Sequence, residues 1–217
     1  MKVDLHVHTC YSRDSLTPLE AVIEVAHKRG IDKVAITDHD RLAGALALRE
    51  MAPELTIVGE EITTTAGEII AYFLEEEIPA GLPPEEAIAR VREQGGVVGV
   101  PHPLDRLRRQ AMGEERLLPI LGLVDALEVF NSRTLFPGNN RRAEELARAH
   151  GLLQTAGSDA HTIWEIGHAY VEMPPFNDKE EFLQSLARGR IFGRTTIPLI
   201  HFISIWVKIR KLIERSV

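Results

Sequence analysis

Short apolar runs that end in histidine or aspartate narrow the possible folds of this chain more than any other feature. Val3-Asp4-Leu5-His6-Val7-His8 closes on two histidines, and Val34-Ala35-Ile36-Thr37-Asp38 is followed by His39. Gly96-Val97-Val98-Gly99-Val100-Pro101 leads into His102, and residues 152–158 lead into Asp159 and His161. A parallel β/α barrel gathers its functional groups at the C-terminal ends of its strands. Residues scattered from position 6 to position 161 would therefore converge in space. In strand geometry Asp4, His6 and His8 share one face and Val3, Leu5 and Val7 the other. The apolar face suits packing under helices, which turns the histidines inward. An unpaired polar group there costs on the order of a few kcal/mol, and metal coordination removes that cost.

Helical patterns separate these runs. Thr17-Pro18-Leu19-Glu20 reads as a capping box opening a helix that ends at Gly30. Strands follow at 33–37 and 55–62 with a helix at 42–50 between them, and 68–74 pairs with 55–62 as a hairpin through Thr64-Thr65-Ala66-Gly67. A helix opens at Pro83 and runs to Gln94, and strand 97–100 leads into an arginine-rich loop and a helix at 115–121. Strand 124–130, helix 138–150, strand 152–157, strand 169–173, helix 178–187 and strand 191–194 complete the pattern. The alternation predicts an α/β domain with mostly parallel pairing and helices outside.

At 217 residues the chain has the length of one small β/α barrel. Its 25 basic and 32 acidic residues give a net charge of −7, which excludes a protein that coats duplex nucleic acid. A small nucleotide remains compatible. The single cysteine, Cys10, excludes an internal disulfide and fits a reducing, cytoplasmic setting. It is read as a small buried hydrophobe beside the site. The N-terminus has no signal-peptide pattern. The tail, residues 196–217, is apolar at first and then basic through Lys208, Arg210, Lys211 and Arg215. It is too short and mixed to span a membrane. A C-terminal helix docked on the barrel, or on a second copy in a homo-oligomer, is expected.

The motifs resemble those of the PHP (polymerase and histidinol phosphatase) family. Asp4-Leu5-His6-Val7-His8-Thr9 with Tyr11-Ser12-Arg13-Asp14-Ser15 is similar to its first motif. Thr37-Asp38-His39-Asp40, Gly59-Glu60-Glu61-Ile62-Thr63, Pro101-His102-Pro103 and Gly157-Ser158-Asp159-Ala160-His161 are similar to the later ones, in order. The resemblance covers roughly residues 2–195, taken with residue 1 as one phosphoesterase domain. It implies a distorted TIM-like (β/α)7 barrel holding two or three divalent ions. Its implied metal ligands are His6, His8, Asp14, His39, Glu61, His102, Asp159 and His161. Asp14 is otherwise a helix-cap residue, and Glu60 is the rival of Glu61 on the opposite face. Where the family usually carries a further histidine, this chain has Glu68. As a ligand, that carboxylate tilts the site toward Mn or Fe(II) over Zn; otherwise it is a solvated hairpin residue.

Asp4, Asp38 and Asp40 are placed to hold the second ring nitrogens of the histidines. Either aspartate of the second motif could instead touch substrate. Arg106, four residues past His102, is the expected phosphate clamp, with Arg109 and Arg133 behind it. Asn131 is either a turn residue or a contact for substrate, and His168 lines the site on one reading. The resemblance implies hydrolysis of phosphate esters by a metal-bridged hydroxide: a nucleotide, nucleoside bisphosphate, short oligonucleotide or other small phosphomonoester. Asp159, His161 and Arg106 would be catalytic. The general acid is open among a bound water, His161 and His168. Two alternatives stand beside this: a metal-dependent amidohydrolase, and a non-catalytic metal-stabilised module.

Overall fold

Nine strands among the described residues form one sheet: β1 (Lys2–Val7), β2 (Lys33–Ile36), β3 (Thr56–Thr64), β4 (Gly67–Tyr72), β5 (Val97–Val100), β6 (Ala126–Asn131), β7 (Leu153–Gly157), β8 (Ala169–Glu172) and β9 (Arg190–Gly193). Their order is β7-β6-β5-β4-β3-β2-β1-β8-β9. This computed structural model describes residues 1–214, without the side chains of Pro198 and His201. Residues 215–217, including Arg215 of the basic tail, lie outside the described residues. The sheet curls into a nearly closed barrel, because the chain just beyond β7 returns to β1. His8 N–H donates to the Ala160 carbonyl (2.9 Å), and Asp159 N–H donates to the His6 carbonyl (2.8 Å). Gly157 permits this approach, since a Cβ there would lie 2.2 Å from the Cβ of His6.

Parallel pairing is less general than the alternation predicts. β1–β2, β2–β3, β5–β6 and β6–β7 are parallel, whereas β3–β4, β4–β5, β1–β8 and β8–β9 are antiparallel. The reversed β4 has a consequence for the site: its beginning, not its end, lies beside the end of β3, with Glu68 opposite Thr63.

Helices α1 (Leu19–Arg29), α2 (Ala43–Met51), α3 (Pro84–Glu93) and α5 (Pro137–Ala149) pack apolar faces on the outside of the barrel. The short α4 (Gly113–Leu117) adds Leu117 to the same core. Inside, Leu5, Ala35, Ile57, Ile70, Ala126 and Ala156 form a second core with Phe182 and Leu186 of α6 (Lys179–Leu186). The strict alternation expected of β1 fails here. Val3 and Leu5 pack in this inner core while Val7 joins the outer one, and the register of β1 against β2 shifts between Asp4 and Val7. The bulge changes which face the odd positions occupy, so Asp4 does not share a role with His6 and His8. The capping box is absent as well: Pro18 precedes α1, and Thr17 Oγ1 donates to the His161 carbonyl instead. The last helix, α7 (His201–Glu214), lies across the mouth of the barrel. Among the described residues no helix is long and apolar enough to cross a membrane.

Candidate metal centre

Glu61, in the second half of β3, is the centre around which the histidines gather. Its Oε1 lies 3.0 Å from His102 Nε2, and its Oε2 lies 3.3 Å from both His6 Nε2 and His8 Nε2 and 3.1 Å from His39 Nδ1. Asp159 Oδ1 faces the same point, 3.4 Å from His8 Nε2. A second focus sits toward the mouth, where Asp14 Oδ2 is 3.3 Å from His39 Nε2 and 3.2 Å from His161 Nε2. Glu68 points inward, 3% exposed, with Oε1 3.3 Å from His39 Nδ1, and so is no solvated hairpin residue. Glu60 turns the other way and accepts a hydrogen bond from Ile78 N–H (2.9 Å). The structure thus brings the nine candidate ligands together in four overlapping clusters. His102 and Asp159 reach them with φ of 29° and 53°, a left-handed backbone that non-glycine residues adopt at energetic cost, often at functional sites.

The donor set fits divalent cations. His6 Nε2 and His8 Nε2 stand 3.0 Å apart, aimed at each other, although at most one can donate. His8 Nδ1, His102 Nδ1 and Asp159 Oδ1 are buried without a hydrogen-bond partner. Burial disfavours charge on His6 and His39, yet both are held well above the usual histidine range. Asp159, Glu61 and Glu128 do this for His6, and Glu61, Asp14 and Glu68 for His39. The carboxylates demand positive charge at this point, and imidazole with carboxylate oxygen suits Zn, Fe or Mn. Burial brings His161 down to about 3, so it is a neutral imidazole. Its Nδ1 faces the Asp159 carbonyl (2.8 Å). Donation there leaves the Nε2 lone pair toward Asp14.

The groups orienting these residues differ from those expected. Glu128 accepts from His102 N–H through Oε2 (2.7 Å), and its Oε1 lies 3.0 Å from His6 Nδ1. A glutamate inside the apolar run Leu127-Glu128-Val129-Phe130 was the available signal. Asp4 instead accepts from Ser158 and Gly167 N–H, Asp38 from Thr9, and Asp40 from Thr63 and Arg13. None of the three holds a ring nitrogen. Asn131 is fully buried and donates to Glu128 and Asp159 (2.9 and 3.1 Å), so it braces the site.

Cations rim the cavity above the histidines: Arg13, Arg108, Arg109, Arg133 and Lys208. Arg108 binds Asp159 directly, and against burial Arg108 and His6 keep that carboxyl well below its usual range. Arg106, the expected clamp, is exposed and lines a neighbouring cavity with Asn139 and Arg142. The loop carries Arg108 inward to Asp159 instead, and Arg108 and Arg109 border both cavities. Arg133 is 4% exposed, with Nη2 donating to Ser204 Oγ (2.9 Å). His168 is half-buried beside Thr196 Oγ1 (3.4 Å) and does not line this cavity. Cys10 is exposed, contrary to expectation, though its thiol is partly covered, and that desolvation with the Asp38 charge raises its pKa, the opposite of an activated thiol.

Known proteins share the sequence pattern and the fold of this chain. The family profile of the PHP domain matches residues 4–95, and that of the PHP-associated region matches residues 137–191. An uncharacterized protein of Methanocaldococcus jannaschii is 42% identical over 180 residues, covering 82% of this chain and 72% of that protein. Among solved structures, a two-domain protein from Bacteroides vulgatus containing a predicted PHP-like metal-dependent phosphoesterase superposes with a TM-score of 0.70 at 20% identity. That match covers 89% of this chain and 65% of the other. An amidohydrolase from Chromobacterium violaceum, with bound sulfate and no metal, gives a TM-score of 0.65 at 17% identity over 89% of this chain and 98% of that one. At these identities the two structures speak to the fold alone.

Proposed function

Since the chain belongs to the PHP family, we propose that it is a metal-dependent phosphoesterase that hydrolyses small phosphate esters, such as nucleotides or other phosphomonoesters. The carrying observation is a floor of buried histidines and carboxylates under a rim of cations, in a chain whose net charge is −7. His6, His8, Glu61, His102 and Asp159 would hold the inner ion or ions, and Asp14, His39, His161 and Glu68 an outer one. Divalent ions, once bound, supply Lewis acidity toward phosphoryl oxygens and a water that ionises near neutral pH. Glu128 and Asn131 fix His6 and Asp159 in place for that task. Arg108, Arg109 and Arg133 meet the phosphate from above. A guanidinium matches two phosphoryl oxygens with parallel hydrogen bonds and offsets the charge that develops on them.

Amide hydrolysis is the second reading, because a water activated by bound divalent ions would serve an amide as well as an ester. The cation rim favours the phosphate ester, because a neutral amide offers guanidinium groups no charge to hold. Phosphate release by the manganese-loaded protein, assayed across nucleotides, sugar phosphates and simple amides, tests the choice. Turnover of phosphate esters alone is expected. Amide hydrolysis without phosphate release would replace this reading with the second.

A further inference from the structure

We infer that the outer face of α7 is an interface with a second copy of this chain, and that this contact steadies the wall of the candidate site. Phe202, Ile205, Trp206, Ile209 and Ile213 recur at helical spacing, and each leaves between 53% and 65% of its surface exposed. Leu199 and Trp164 extend the stripe, and with Phe202 and Trp206 they border an apolar groove beside the helix. At roughly 100 Å² per side chain the patch amounts to about 700 Å², close to one side of a standard protein interface. Monomers rarely leave a larger contiguous apolar patch in water.

Charge decides what covers it. The helix is basic, but its cations are committed within the chain. Lys208 Nζ reaches Asp14 Oδ2 (3.0 Å), Lys211 Nζ donates to the carbonyls of Cys10, Ser12 and Ser15 (2.7, 2.6 and 2.8 Å), and Arg210 pairs with Glu214 (2.8 Å). A helix that lies on an anionic membrane presents its cations along the rim of its apolar face. Here Lys208 and Lys211 turn toward the barrel. Arg210 sits over the Trp206 ring (5.7 Å), but Glu214 offsets its charge, so the stripe carries no net charge and has a groove beside it, which is the self-complementarity a two-fold contact requires. Antiparallel pairing of two helices, each about 21 Å long, seats the Ile209–Ile213 end of one in the Leu199–Trp206 groove of the other.

The contact bears on the site through the inner face of the same helix. Ser204 and Lys208 line the cavity, and Ser204 Oγ accepts from Arg133. Association itself does not depend on the phosphoesterase reading, and its mass is measured without substrate. Sedimentation of the full chain at micromolar concentration is expected to give twice the 24.2 kDa monomer mass. Trp206→Glu with Ile209→Glu, both at exposed positions, should give a folded monomer whose α7 amides exchange faster while barrel amides keep their protection. Trp206→Cys, the position nearest the two-fold axis of this pairing, in a Cys10→Ser background should form a disulfide-linked dimer under mild oxidation, which reads proximity even if the charged variant misfolds. A monomeric wild type overturns the interface. So does a dimer that survives the charged pair, the lack of a cross-link, or flotation of the protein with phosphatidylglycerol vesicles. Unchanged exchange in α7 of the monomeric variant would overturn the coupling to the site.

Discussion

Arg106 and Arg108 sit on one loop, and of the two Arg108 alone reaches the histidine cavity, which makes the pair a controlled comparison. Arg108 touches Asp159 and the histidine cavity, whereas Arg106 opens onto the neighbouring one. Arg108→Ala should lower kcat/KM for a phosphate ester by about 10- to 100-fold, the worth of a charge-assisted hydrogen bond. Arg106→Ala should leave it within about twofold, as for a rim charge remote from the reacting group. Steady-state kinetics of the two variants decide it, and the reverse order would return the clamp to Arg106. Glu60 and Glu61 form a second pair, adjacent but on opposite faces. Burial lifts Glu60 to about 8 from 4.5, so between those values the folded state binds a proton that the unfolded chain has released. Its stabilising effect is complete on the acid side of 4.5 and is lost as pH rises through about 8. Glu60→Gln should therefore be neutral near pH 5 and stabilising near pH 9, by on the order of a few kcal/mol. Denaturant titrations at both pH values read this, and an equal effect at the two would contradict it. At this scale the strand-end histidines were legible because their spacing follows from strand geometry. The inward arginine was not, because loop conformation is set by contacts distant in sequence.

At the scale of elements, three local devices build the centre: the bulge in β1, the reversal of β4 and the close approach of β7 to β1. The β3–β4 hairpin was legible from Thr64 to Gly67, and it explains how Glu68 arrives beside Glu61 although it begins its strand. The β1 bulge was not legible, since Val3-Asp4-Leu5-His6-Val7-His8 alternates without interruption. Only the register against β2 reveals that Val3 and Leu5 face inward with the histidines. The third device gives a direct test. Gly157→Ala would drive a Cβ against His6 and Glu128, to 2.2 and 2.9 Å from them, with no flexible end to yield at His6. A loss of about 2–3 kcal/mol is expected from such overpacking, together with weaker metal binding as His6 is displaced. Thermal unfolding and metal titration of the variant check both. Wild-type values for the two would mean that the β1–β7 approach is not a determinant of the site.

Across the whole molecule, charge is divided by place. The chain is acidic overall, yet arginines and Lys208 converge over its deepest carboxylates, drawn from four separate regions of sequence between Arg13 and Lys208. Such a layout costs stability in self-repulsion and desolvation unless the floor holds cations, and it suits an anion arriving from above. The α/β barrel and its ligand-bearing end were legible from the alternation of elements. A C-terminal helix was expected on the barrel or on a second copy, but its place over the mouth was not legible, because a mixed apolar and basic tail fits several docking arrangements and only the packed structure shows Lys208 over Asp14. The central claim is that bound divalent ions and this cavity together hydrolyse phosphate esters. Its most direct test is phosphate release by one preparation stripped of metal and then titrated with Mn²⁺, with bound metal counted at each step. The account predicts no turnover in the stripped protein and full recovery only as two or more ions bind per chain. Undiminished phosphate release from verified metal-free protein would contradict it.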